Sequence, residues 1–122
     1  MSSKIYKKEK KTYGKCHTIC IIQKSTRKKK KLMVSVIQYG VPTKKIHFGA
    51  KGYEDYTIHG DIKRRESYIK RHRPNENWTL SGILSAGFWS RWILWSCTTL
   101  KESATFTKEK FGIDIFVHRN LI

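Results

Sequence analysis

Five adjacent cations, Arg27-Lys28-Lys29-Lys30-Lys31, are the strongest chemical signal in the chain. Like charges this close repel one another. They gain most from a polyanion, whose condensed counterions are released on contact. The competing reading is a solvated, solubilising loop. A second basic stretch runs Lys63-Arg64-Arg65, then Lys70-Arg71-His72-Arg73. On a helix these cations cover a broad face, which Glu66, three residues after Lys63, neutralises in part. Arginine pairs bidentately with phosphate and lysine acts as a point charge, so both suit backbone contact. No helix-turn-helix or zinc-finger pattern is present, so phosphate contact is expected ahead of base readout. Lys7, Lys8, Lys10 and Lys11 add a third group of cations near the amino terminus.

Other residue types carry weaker signals. Tyr53, Tyr56, Tyr68, Trp78, Phe88, Trp89, Trp92 and Trp95 are of the kind that stacks on unpaired bases. Helical spacing assigns Phe88, Trp92 and Trp95 to a core instead. Trp89, beside Arg91, is the surface candidate, and the pair reads as a partner-binding element. Cys16, His17 and Cys20 lack a second ligand pair, so a closed zinc site, which needs four ligands, is not expected. Cys16 and Cys20 share a strand face and read as small core residues. Glu54, Asp55 and Asp61 faintly match the acidic–basic spacing of metal-dependent nucleases. That chemistry requires them to converge on one ion; the simpler reading is a helix cap and loop acids. No catalytic residue, metal ligand or cofactor site is assigned.

These side chains must be positioned by a small scaffold. The 122 residues make one domain the natural size. An apolar fraction of 39% with 12% aromatics is enough for a core and argues against a wholly disordered chain. The formal charge is +17, from 26 Lys and Arg against 9 acids. Such an excess suits an acidic partner more than a small-molecule enzyme. Fourteen of those cations lie in residues 1–46 against one acid, Glu9. No secretory signal is read at the start of the chain, and no apolar run approaches the roughly 18 residues a membrane span needs.

Residues 1–12 read as a flexible basic tail, and 13–122 as a single α+β domain. Residues 15–23, rich in β-branched side chains, predict a strand. The basic cluster then forms the loop to a second strand at 32–39. A turn at 40–43 follows, where Pro42 cannot continue a central strand, and a short third strand spans 44–48. Together these make a three-stranded antiparallel meander. One helical turn falls within 53–59. Asp61 caps a helix over 62–72, with Ile62, Tyr68 and Ile69 inward, and Pro74 stops it. Ser85 caps a core helix over 86–95, apolar around most of its circumference. Thr99 caps another over 100–111, with Leu100, Ala104, Thr107 and Phe111 inward and Gly112 after its end. Residues 113–117 alternate as a final strand.

Two blocks, HFGAKGYEDYT at 47–57 and AGFWSRWILW at 86–95, stand out, with Arg64-Arg65, Tyr68, Arg71-His72 and Trp78 between them. This pattern resembles a family of small basic proteins of nucleocytoplasmic large DNA viruses, of the mimivirus, phycodnavirus and iridovirus kind. The likeness spans roughly residues 32–115. It implies a structural role in the virion, with host cytoplasm as the place of assembly, and brings no catalytic residues to carry over. The expectation is therefore a non-enzymatic virion protein binding nucleic acid, DNA ahead of RNA. The basic tail, Arg27 to Lys31, and the helix cations Arg64, Arg65, Lys70, Arg71 and Arg73 would make the contacts. The alternative is a minor capsid protein that bridges major capsid proteins or lines the inner membrane, where Trp89 and Arg91 would dock on a partner and the cations would meet an acidic capsid surface or an anionic membrane.

Overall fold

The computed structural model describes residues 17–121. The basic tail with Lys7, Lys8, Lys10 and Lys11, and Cys16, lie outside the described residues. The fold is α+β, a four-stranded sheet with helices against one face. β1 (Thr18–Lys24), β2 (Lys30–Gln38) and β3 (Val41–Ala50) form the expected antiparallel meander. β4 (Asp114–Val117) then adds to β1 in parallel, with Cys20 opposite Ile115 and Ile22 opposite Val117. The sheet is therefore mixed, in the order β3-β2-β1-β4, rather than a meander alone. A parallel neighbour needs a long crossover, and the whole helical region supplies it.

The third strand is longer than its sequence predicts. Tyr39 and Gly40 both take positive φ, at 52° and 78°, the geometry of a tight two-residue hairpin turn. β3 starts at once after it and includes Pro42. The proline is tolerated because β3 is an edge strand, and its pairing is irregular where Val36 gives way to Ile37.

α1 (Tyr56–His59) is one turn, capped by Asp55, whose Oδ1 accepts the Thr57 N–H at 2.9 Å. α2 (Ile62–His72) is capped by Asp61, which accepts from the Lys63 and Arg64 N–H groups. Its inward residue is Tyr68 alone; Ile69 is half-buried and Ile62 is 58% exposed. α2 touches the body along one edge, so its first turn reaches past the core. α3 (Ala86–Trp89) does not continue as an α-helix to 95. It opens at Ser90–Leu94 into a π-helical turn. α4 (Leu100–Phe111) is capped by Thr99 and closed by Gly112 at φ 67°. Ala104 and Thr107 are its buried residues from the expected stripe, with Leu100 and Phe111 packed at the margin.

Cys20, Ile22, Val34, Val36 and Phe48 on one sheet face and Phe88, Trp89 and Ile93 above them belong to a single apolar cluster. Trp89, which its place beside Arg91 assigns to the surface, is instead fully buried. Its ring stands edge-on to Phe88 at 5.1 Å, and its Nε1–H donates to the Ile83 carbonyl at 2.6 Å. The segment 86–94 lies between sheet and α4, so nearly its whole circumference is covered.

Candidate nucleic-acid interface

The cationic cluster occupies the β1–β2 hairpin end. The Arg27 N–H donates to Ser25 Oγ at 2.9 Å, and the Lys30 N–H donates to the Arg27 carbonyl at 3.3 Å. A further bond from the Lys51 N–H to the Lys29 carbonyl, 2.9 Å, ties the loop to the end of β3. These bonds hold the backbone while Arg27, Lys28 and Lys29 stay exposed. Lys30 is half-buried. Lys31 is not a free cation: its Nζ donates to Asp55 Oδ2 at 2.7 Å, and Asp55 is buried. A carboxylate so sheltered needs a partner, and Lys31 supplies it.

The helix cations divide in the same way. Lys63, Lys70, Arg71 and Arg73 are exposed and hold no acid among the described residues. Arg64 pairs with Glu54 at 3.0 Å, with both side chains about half exposed. Solvent screens that pair, so it yields readily to a competing anion. Arg65 serves structure instead. Its Nε donates to the Trp95 carbonyl at 2.9 Å and its guanidinium lies over the Tyr56 ring at 5.5 Å. It joins α2 to the end of the π-helical turn.

Both basic stretches open onto one cleft of about 770 Å³. Lys30 and Lys31 line it from β2, and Lys63, Arg64 and Arg71 from α2. Phe48, Gly49, Gly87, Leu94 and Trp95 give it an apolar lining. Gly49 has φ 80°, and a Cβ there would stand 2.7 Å from Leu94 Cδ1. Its missing side chain is what lets the π-helical turn approach the end of β3. Three acids line the cleft, and each is engaged: Glu54 with Arg64, Asp55 with Lys31, Glu76 with His72. The positive surplus belongs to Lys30, Lys63 and Arg71.

Glu76 is a junction that spacing alone does not reveal. Oε2 meets His72 Nδ1 at 2.8 Å, and Oε1 accepts the Trp78 Nε1–H at 2.8 Å. A Cβ on Gly87 would come within 2.9 Å of Oε1, so this glycine makes room for the carboxylate. Beside it Tyr68 stacks on Trp95 at 4.3 Å and on His72 at 4.3 Å. Burial chiefly, with the Glu76 charge in second place, raises the Tyr68 pKa above that of an ordinary phenol.

Arg91, expected beside a surface tryptophan, is buried with it. Its guanidinium lies 4.3 Å from the Trp92 ring centroid and 5.4 Å from that of Trp78. Nη1 donates to the Trp95 carbonyl at 3.1 Å and Ser96 Oγ at 3.3 Å, while Nε has no partner among the described residues. Burial first, then the nearby Arg65 charge, pulls its pKa down to about 10. Neither Trp89 nor Arg91 is placed to dock a partner.

The carboxylates do not assemble. Glu54 and Asp55 hold Arg64 and Lys31, and Asp61 caps α2. Among the described residues no three His, Cys, Asp or Glu side chains gather as metal ligands. Cys20 is a buried core residue, its thiol pushed up to about 12 by burial and, secondarily, by Asp114. No helix of the described residues is long and apolar enough to cross a membrane.

A family model described as a family of unknown function, DUF5754, matches residues 20–72. The match runs from within β1 through β2, β3, α1 and α2, which carry every lysine and arginine of the cleft, and stops before Glu76 and α3. No curated protein and no solved structure matches the chain.

Proposed function

We propose that this chain is a non-enzymatic structural protein that binds nucleic acid through its phosphates. The observation that carries the reading is the convergence of two basic stretches, distant in sequence, on one open cleft. Arg27, Lys28 and Lys29 at the hairpin end, and Lys70 and Arg73 on and just after α2, are further exposed cations outside the cleft lining. Main-chain hydrogen bonds hold the hairpin in place, so the field is presented by a preorganised surface. The likeness to small basic proteins of large DNA viruses supports the particle as the setting and the genome as the partner.

Affinity for mixed-sequence duplex DNA should fall steeply with salt, by about 0.9 log unit per log unit for each phosphate contact. Replacing Arg27, Lys28 and Lys29 together by glutamine should lower that slope by about one for every phosphate no longer neutralised. Anionic and neutral liposomes serve as controls. Binding that ignores salt, or that favours anionic liposomes over DNA, overturns the reading.

A capsid-bridging role draws on a different surface. Phe116 on β4 is 57% exposed and pairs in register with Ile21 on the sheet face away from the helices. Retention on capsid shells stripped of DNA would favour that role.

A further inference from the structure

Resting on the nucleic-acid reading, we infer that the cleft takes an unpaired nucleotide of a single strand, with Tyr53 as the stacking platform for its base. The lining is of two kinds. Lys30, Lys63 and Arg71 carry charge that no acid of the described residues neutralises. The rest of the wall is partly apolar: exposed Ala50 and Ala86 and half-buried Trp95, with Leu94 and Phe48 buried. A duplex presents phosphates and sugar to such a surface and keeps its base faces stacked inside. The apolar part of the lining would then stay wet or empty. A single strand offers both chemistries from one unit: a phosphate for the cations and a flat aromatic face for the lining. The size agrees, since about 770 Å³ lies within the range of sites that enclose small organic groups.

Tyr53 is the residue that makes the difference. It lines the cleft, is 74% exposed, and has no ring or hydrogen-bond partner for its side chain among the described residues. The other aromatics near the cleft are already committed. Tyr68 is stacked between Trp95 and His72, and Phe48 is fully buried against Trp89. Tyr53 follows the turn that begins at Ala50, whose carbonyl accepts its N–H at 3.4 Å. Two residues on, Asp55 is fixed by Lys31 and by the Thr57 N–H. The backbone on both sides of this exposed ring is therefore held, and the ring is presented beside the cations rather than on a free loop.

The test compares probes of equal length on the full chain by fluorescence anisotropy at one salt concentration. They are a mixed-sequence single strand, a duplex and an abasic single strand. The single strand and the duplex are then measured again with Tyr53→Ala, Tyr53→Phe and the Lys63→Gln/Arg71→Gln pair. The intact single strand should bind more tightly than the duplex and the abasic strand. Tyr53→Ala should reduce the ratio of single-strand to duplex affinity by roughly five-fold or more, the scale of one lost base stack. Tyr53→Phe should restore it, because the ring and not the hydroxyl does the stacking. Lys63→Gln/Arg71→Gln should weaken single strand and duplex alike. A ratio that Tyr53→Ala leaves unaltered, or an abasic strand that binds as tightly as the intact one, overturns the inference while leaving phosphate binding in place. Absence of salt-dependent binding to every probe overturns both. Because Tyr53 is exposed, its replacement does not threaten the fold, and a melting curve for each variant verifies this.

Discussion

His47 registers the field of the hairpin. Its Nδ1 shares a hydrogen bond with Ser25 Oγ at 2.8 Å. Partial burial first, then the charges of Arg27, Lys45 and Lys30, lower its pKa from the usual 6.5. Nearby cations disfavour a protonated ring. A polyanion seated on those cations cancels their field, so His47 should titrate at higher pH when nucleic acid is bound. NMR titration of the ring with and without a saturating oligonucleotide checks this; coincident curves would remove the hairpin from the interface. The free protein follows the matching rule. With the folded value below that of the unfolded chain, the unfolded chain binds more protons between the two. The stability that neutral His47 contributes is present above about pH 6.5 and is lost as the pH falls from there through the folded value. His47→Gln should flatten that part of the stability profile, measured by urea unfolding at several pH values.

The cleft exists because separate elements approach closely. Gly49, at the end of β3, combines positive φ with a contact that leaves no room for a methyl group beside Leu94. Gly49→Ala should therefore cost about 2–4 kcal/mol, from left-handed strain and overpacking together, read as a lower urea midpoint. Gly40→Ala, with positive φ but open space around it, should cost only the strain. Element types are largely legible in the sequence. Alternating β-branched residues mark β1 and β2, and Asp61, Ser85 and Thr99 all cap the helices expected of them. Pro42 misleads because a proline's meaning depends on whether its strand is central or at the edge, and strand order is a tertiary fact. Trp89 misleads because a ring's exposure depends on what lies over it, and sheet and α4 cover both sides of its segment. The two basic stretches are legible as charge, but their meeting is not. It depends on contacts at long range, Lys31 to Asp55 and Arg65 to the Trp95 carbonyl, that no local spacing encodes.

For the molecule as a whole, a formal charge of +17 is a source of self-repulsion that the fold must withstand. Salt screens it, so the melting temperature should rise from very low to moderate ionic strength. A bound polyanion should raise it further, since ligand at a hundred times its dissociation constant adds about 2.7 kcal/mol to stability. Thermal melts with no ligand, duplex and single strand, at matched phosphate concentration, give the order of preference directly. A melting temperature indifferent to all of them would speak against a nucleic-acid partner. The parallel pairing of β4 with β1 has a mechanical side. Tension applied through Thr18 and Val117 would pull the two strands lengthwise in opposite directions. Their rungs, from Ile19–Asp114 to Ile22–Val117, would then be loaded together in shear instead of unzipping one by one, so the clasp between the first and last strands should resist stretching until it gives way in one step.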